Sequence, residues 1–293
     1  MKLWCLDDRG GWGTNLRRAA SRHGIPTDTF ADRIEHIQPG DCAFMRINQG
    51  GARMEMDKAL LRHLAAARVN VIPSVEDSEV YEDKLAQSEL YAAFMPKTLV
   101  LRDAHAADRA VTTLGYPFVS KSRTGSASRN CRMIYSPDQA RREIGQAFGG
   151  GLEAPHTLGE GVQRGYLIWQ EFLPGNSYDY RVCKIGRRSM ILRRYNRADV
   201  PFASGSGITE PVTALDDETA GVLAFANEFF DSRGTRWCGI DVVRDLHGRW
   251  RLLETTIGWS QKAYAECSFF GTSRTGAEMW DLVCDEIKAG VFA

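Results

Sequence analysis

The sequence has no excess of charge of either sign: Lys plus Arg and Asp plus Glu both number 37 in 293 residues. Such a chain has no overall field to draw it onto nucleic acid or an anionic membrane surface. The basic pairs Arg187-Arg188 and Arg193-Arg194 are local, and read as solvated faces or small anion sites. No run approaches the roughly 18 apolar residues that a membrane span requires. The opening MKLWCLDDRGG turns acidic and Gly-rich too soon for a secretory signal. Seven cysteines, an odd number, are scattered without a C-x-x-C pair, which argues against a disulfide framework or a structural zinc site. The expectation is reduced thiols in a cytoplasmic protein. There is no internal repeat, no low-complexity segment, and no Gly-Lys followed by Ser or Thr, so the Walker A phosphate loop is excluded. What is present is 43% hydrophobic and 25% charged, the composition of a globular protein. The length suits two domains or one large one.

The first eighty residues alternate strand-like and helix-like segments. KLWCL, DCAFMRI and VNVIP read as strands, the last ended by Pro73. LRRAASRHG reads as a short helix closed by Gly24, and MEMDKALLRHLAAAR as a longer one with apolar residues at Leu60, Leu61, Leu64 and Ala65. This order predicts a small, mostly parallel sheet flanked by helices. PKTLVL and YPFVSKS are the next strands. SPDQARREIGQAF is a helix with Ser136 as N-cap and Pro137 in its first turn. GGGLEAPHTLGEGVQRG lacks periodicity and reads as a loop. From Tyr166 the strands lengthen: YLIWQEFL, YDYRVCKI, SMILRRY, WCGIDVVR and RWRLLETT, with LDDETAGVLAFANEFFDSRG as an intervening helix. Short polar turns between them predict an antiparallel sheet. The reading divides the chain into an N-terminal α/β domain at 1–82, a second unit at 83–165 and a C-terminal unit at 166–293.

The apolar run LLETT ends in a carboxylate, Glu254. If His247-Gly248 make a two-residue turn, Leu246 faces Arg249, Val242 faces Leu253 and Asp241 lies opposite Glu254. Opposed residues share a face with Cβ atoms about 4.5–5.5 Å apart, and opposed like charges are destabilising. Thr256 lies on that face two residues on. A hard divalent cation such as Mg²⁺ between the carboxylates would remove the conflict; the alternative is an exposed strand pair with no ligand. His-Gly is not a favoured hairpin dipeptide, and the same register sets Arg244 against Arg251.

Earlier in the chain, YPFVSKSRTGSASRNCRMI carries a strand to Lys121 and then a small-residue loop of Gly125, Ser126, Ala127 and Ser128. Backbone N–H groups in such a loop can approach a phosphate, and the ammonium adds a point charge. An ordinary polar hairpin is the alternative. GGWGTN at Gly10–Asn15 mimics a dinucleotide fingerprint, but Leu16 stands where its third glycine belongs and two aspartates precede it. It reads as a plain strand-to-helix turn.

EDK at 82–84, PFVSKSRTGSAS at 117–128, WQEFLPG at 169–175, DYRV at 179–182, LRRYN at 192–196, GIDVVRD at 239–245 and LLETT at 252–256 occur in an order that resembles the ATP-grasp superfamily. The resemblance is to the branch with the ribosomal-protein glutamate ligase and glutathione synthetase, and it covers about residues 80 to 260. It implies α/β and α+β architecture: a small N-terminal α/β domain followed by two subdomains that clamp ATP. It implies that Lys84 and Lys121 bind phosphate oxygens, Lys121 with a catalytic part, and that Gly125, Ser126 and Ser128 cover the phosphates. Gln170, Glu171, Phe172 and Leu173 match the strand that reads adenine and holds the ribose. Asp179 matches a nucleotide-side aspartate, and Arg194 a catalytic arginine on the transferred phosphate. Asp241 and Glu254 match the Mg²⁺ ligands. This chain has Thr256 where the family pattern has Asn; a threonine also offers one neutral oxygen. PFASGSG at 201–207 lacks an expected arginine, and the phosphate loop is poorer in glycine than usual.

The implied reaction is ATP-dependent carboxylate–amine ligation through an acyl phosphate, with no covalent enzyme nucleophile. A kinase of the same fold and a silent nucleotide-binding module are the alternatives. The expected partners are a small-molecule carboxylate and an amine, the latter free or on a peptide or modified macromolecule. Arg46, at a strand end, is a candidate for the substrate carboxylate, with a surface arginine as the alternative. Trp259, Tyr264, Phe269, Phe270 and Trp280 are read as core in the main, with an acceptor-pocket lining as the alternative.

Overall fold

The computed structural model describes residues 1–6, 10–30, 33–125, 130–154, 161–197 and 200–293, with backbone alone at 200–206. The short apolar runs near the start become β1 (Leu3–Cys5), β2 (Thr27–Thr29), β3 (Cys42–Phe44) and β4 (Asn70–Ile72), a parallel sheet of order β2-β1-β3-β4. β1 and β3 are wholly buried, as inner parallel strands are. β2 was not expected, because its TDT is half-buried and an edge strand need not be apolar. α1 (Trp12–Arg22) starts inside the Gly-rich turn, four residues before the expected helix. Gly11 adopts a left-handed φ of 69° at its N-cap, a conformation glycine adopts at no steric cost. Trp12 is pulled in by the core: its ring lies 5.4–5.9 Å from those of Trp237, Trp259 and Trp280. α2 (Gly51–Ala66) packs behind β4, and α3 (Val75–Glu79) and α4 (Lys84–Leu90) lead onward.

The second sheet contains β5 (Thr98–Leu101), β6 (Phe118–Lys121) and β7 (Cys131–Ile134), with α5 (Ala104–Ala110) and α6 (Pro137–Ala147) packed beside it. Ser136 caps α6 as expected, accepting from the Gln139 N–H. Part of the predicted loop 149–165 forms a small pair, β8 (Leu152–Glu153) with β9 (Val162–Gln163); residues 155–160 lie outside the described residues. β10 (Leu167–Glu171) corrects the sequence reading. It does not open the C-terminal sheet but enters the second one, order β5-β10-β6-β7. Leu167, Ile168 and Trp169 are wholly buried there.

The third sheet is antiparallel, order β13-β12-β11-β14-β15. Its strands are β11 (Tyr178–Ile185), β12 (Arg188–Arg197), β13 (Val200–Pro211), β14 (Trp237–Arg244) and β15 (Trp250–Thr256). β13 was missed because VPFASGSGITEP is rich in Pro, Gly and Ser; an edge position tolerates all three. α7 (Asp217–Arg233) covers one face, with Val222, Ala226 and Phe229 buried against Val182, Ile240 and Leu252. The other face is divided. At one end Cys183, Ile185 and Met190 join a core shared with the N-terminal sheet, α1 and α9 (Met279–Lys288). At the other end it faces a cavity.

Candidate active site

Alternation along β11 sets the site. Residues two apart share a face, so Asp179 and Arg181 point the same way as Cys183 and Ile185. The last two are in the core, and the first two line a cavity of about 450 Å³. The described residues predicted to hold nucleotide or metal line that one cavity: Lys84, Lys121, Gly125, the Gln170–Leu173 run, Asp179, Arg194, Asp241, Glu254 and Thr256. Ser126 and Ser128 lie outside the described residues.

Asp241 does lie opposite Glu254, but the hairpin around them is not the predicted one. The turn is longer. The Asp245 N–H donates to the Arg249 carbonyl at 2.8 Å, and Gly248 takes a left-handed φ of 77°. A register shift follows Asp241, so Val242 pairs with Leu252 and Arg244 with Trp250. The predicted Arg244–Arg251 clash does not occur. Arg244 stacks on Trp250 at 4.4 Å, and Arg251 binds Asp245 at 3.1 Å. The bulge also explains the carboxylate in LLETT. In a regular strand Leu252 and Glu254 would share a face; the extra residue reverses the alternation. Leu252 is thereby wholly buried beneath α7 while Glu254 lines the cavity.

The charge conflict is resolved by cations of the chain itself. Arg181, directly opposite Asp241 on β11, binds it through two hydrogen bonds of 2.5 and 2.8 Å and lies 3.9 Å from Glu254. Arg194 adds a 2.7 Å contact to Asp241 and bonds Asp179 at 2.7 and 2.8 Å. Burial alone would raise the Asp241 pKa, but Arg181 and Arg194 hold it well below the usual carboxylate range. Arg181 was not singled out from the sequence. The signal was present in DYRV: it lies on the face of Asp179, two residues on.

Lys84 opens α4, whose N-cap is Asp83. Its ammonium donates to the Gly125 carbonyl at 2.6 Å and lies 3.4 Å from Glu254. Burial pushes its pKa down, and Glu254 and Glu82 more than offset this, leaving it above the ordinary value. Lys121 ends β6 and donates to the Leu253 carbonyl at 3.4 Å. Burial holds Lys121 below its ordinary pKa, and Lys84 adds to the depression. Gln87 ties the lysine helix to the carboxylate strand: its side chain accepts from the Thr255 N–H at 2.9 Å and donates to the Thr255 carbonyl at 3.3 Å. Glu82, at an unusual φ of 58°, accepts from Gln49 at 2.8 Å and from the Gly125 N–H at 3.4 Å. Sequence reasoning assigned nothing to either residue.

The late aromatic residues are core, as the main reading expected. Trp259, Tyr264, Phe269 and Trp280 are buried in the shared core, and Phe270 packs against the core under α7. Arg46 stacks on Trp12 at 5.1 Å and is not part of the cavity wall. Gln170 lines the cavity, but its side chain donates to Thr98 at 2.9 Å. Thr256 exchanges hydrogen bonds with the backbone of Gly258 at 2.9 and 3.2 Å, which leaves its oxygen one lone pair.

Among the described residues no group of three His, Cys, Asp or Glu side chains could hold a metal by itself. Asp241 and Glu254 supply hard oxygen donors on one wall, which suits a Mg²⁺ ion held by one or two carboxylates and completed by substrate phosphates.

Solved structures of low sequence identity share this architecture along their length. A RimK domain ATP-grasp protein from Sphaerobacter thermophilus matches with a TM-score of 0.61 at 17% identity, over 98% of this chain and 100% of that one. D-cycloserine synthetase DcsG matches with a TM-score of 0.64 at 14% identity, over 99% and 100%. The ATP-grasp ligase PsnB, solved with a precursor peptide and AMPPNP, matches with a TM-score of 0.62 at 16% identity, over 100% and 99%. No protein-family profile and no curated protein matches the sequence. Identities this low carry the fold and nothing finer: the chain has the ATP-grasp fold.

Proposed function

We propose that the chain is an ATP-dependent ligase that joins a carboxylate to an amine. One observation carries the reading: two lysines, a glycine-bearing loop and an arginine–carboxylate row, from widely separated stretches of sequence, line one cavity. Mg-ATP, when bound, supplies the phosphoryl group that activates the acid. The residues of the chain answer the physical problem of bringing two anions together. Lys84 and Lys121 offer point charges to phosphate oxygens, and Lys121, held near a backbone carbonyl by a long contact, has little to give up. Arg181 and Arg194 stand where charge builds on the reacting carboxylate and phosphate, in a site where fixed donors are worth more than in water. Asp241 and Glu254 would hold the Mg²⁺, and the Arg181 and Arg194 guanidiniums keep Asp241 ionised meanwhile. The base side of the nucleotide is assigned to Phe172 and Leu173, which run past the paired residues of β10. PsnB is solved with a peptide and D-cycloserine synthetase carries a small product in its name, so both classes of acceptor belong in a screen.

Phosphate release from Mg-ATP, measured against pooled carboxylates and amines with products identified by mass spectrometry, tests the reading. The expected result is an amide that needs both pools and disappears in Glu254→Ala. A phosphorylated acid with no amide would make the protein a kinase. Magnesium-dependent nucleotide binding without turnover across the screen would make it a binding module.

A further inference from the structure

One thiol stands apart from the other cysteines. Six of the seven are buried, and Cys131 alone is partly exposed. It begins β7 directly opposite Lys121 of β6, and opposed residues share a face. That face also presents Val119 and Gln170, and all four line the cavity. Cys131 therefore lines the cavity beside Lys121, on the strand that follows the loop carrying Gly125. Its electrostatic neighbours are Lys121 and Lys84; burial pushes the thiol up from its ordinary pKa, and both lysines oppose that rise. A second feature points to a polar ligand at this spot. Ser122 and Asn130, 1% and 6% exposed, line the same cavity, and the Ser122 hydroxyl and the Asn130 side-chain oxygen have no hydrogen-bond partner among the described residues. Buried polar atoms are seldom left unmatched unless a ligand or water completes them.

We propose that Cys131 is a modification site for small anionic disulfides, and that a group attached there closes the phosphate end of the cavity to nucleotide; the second half rests on the nucleotide reading above. The step is thiol–disulfide exchange. The Cys131 thiolate attacks one sulfur of R–S–S–R, a new S–S bond forms, the old one breaks, and R–S⁻ leaves with the electron pair. The proton lost by Cys131 passes to solvent, and excess thiol reverses the exchange. The disulfide is itself the oxidant. Anionic reagents are favoured because the Lys84 and Lys121 ammoniums in the same cavity draw them to the thiol. Disulfide-linked modification at this position would silence the enzyme under oxidising conditions and release it on reduction.

The probe is 5,5′-dithiobis(2-nitrobenzoate), applied to the whole native chain, with the modified cysteine located by peptide mass. Nucleotide binding is first measured calorimetrically on untreated protein. The fastest-reacting thiol should be Cys131. Only unoccupied protein reacts, so AMPPNP with Mg²⁺ at about ten times its Kd should slow the reaction about tenfold. Singly modified protein should keep its far-UV circular dichroism, lose at least about tenfold in nucleotide affinity, and recover with dithiothreitol. In Cys131→Ser the fast thiol should vanish and the affinity should no longer respond to the reagent. A neutral disulfide of similar size should react more slowly with Cys131 than the anionic one, after correction for their rates with a free thiol. Fast modification elsewhere, a rate indifferent to bound nucleotide, or unchanged affinity after modification of Cys131 would overturn the proposal alone. Absence of nucleotide binding in untreated protein would overturn the functional reading and this proposal with it.

Discussion

Asp241 is the residue on which most of the site's charge turns. Its carboxylate takes both Arg181 and Arg194 and is held ionised far into acid. A carboxyl depressed in the folded state adds stability that is fully present above its unfolded pKa of about 4, and that is lost as pH falls from there through the folded value. Asp241→Asn should therefore be less stable than the parent at neutral pH, with the difference shrinking in denaturant titrations below about pH 4. A difference independent of pH would mean that the ion pairs contribute nothing. Lys121 has the opposite character. Its ammonium is held below its usual pKa by burial, so the charge costs folding free energy near neutral pH. Lys121→Met should melt no lower than the parent. It should nonetheless weaken nucleotide binding by about 10- to 100-fold, the worth of one hydrogen bond to a charged group. A lower melting temperature with unchanged binding would remove Lys121 from the site.

At the scale of elements, the bulge in β15 is the device that lets one short strand serve a core and a cavity. Leu252 faces α7 and Glu254 faces the arginines because one residue is unpaired between them. Leu252→Ala should cost about 2–5 kcal/mol, the usual range for a buried leucine, while the Glu254 side of the strand keeps its pairing with β14. Gln87 is the second such device. At Thr255 the edge of β15 is satisfied by the Gln87 carboxamide rather than by another strand, and this sets α4, with Lys84 at its start, against the carboxylate strand. Gln87→Leu would leave the Thr255 N–H and carbonyl unmatched. Urea denaturation should show a loss of about 1–3 kcal/mol, and nucleotide affinity should fall although the Gln87 side chain is already engaged with the Val80 carbonyl and the Thr255 backbone.

Across the whole molecule, the N-terminal sheet and the C-terminal sheet share one core. Leu3, Trp4 and Phe44 from the first pack in the same cluster as Cys183, Met190, Trp237 and Trp280. The rings of Trp12, Trp237, Trp259 and Trp280 stack or meet edge to face across it. Such a shared core predicts cooperative loss of both sheets. Tryptophan fluorescence and far-UV circular dichroism should give coincident unfolding transitions, and Trp12→Ala should lower both together by about 3–5 kcal/mol. Separate transitions would show that the N-terminal sheet stands alone. Among the described residues no helix is long and apolar enough to cross a membrane.

Much of this was legible in residue order. The alternation of β11, the cap at Ser136 and the pair Asp241–Glu254 are local patterns carried by strand and helix periods, whereas Lys84 was legible only through the order of motifs that resembles a known superfamily. Residues that share a site but not a neighbourhood were harder. Arg181, Gln87 and Cys131 show their places only once β11, α4 and β7 are set against β14, β15 and β6. β10 read as the first strand of one sheet and entered another, because an apolar run states that it will be buried and not by what. The guanidiniums that meet Asp241 were unforeseen for the same reason. Sequence shows that like charges meet on a face, whereas the counter-charge comes from whichever strand lies alongside. Local chemistry thus determined which residues have work to do. Only the pairing of distant strands, through a one-residue bulge and a shared aromatic core, decided which of them meet.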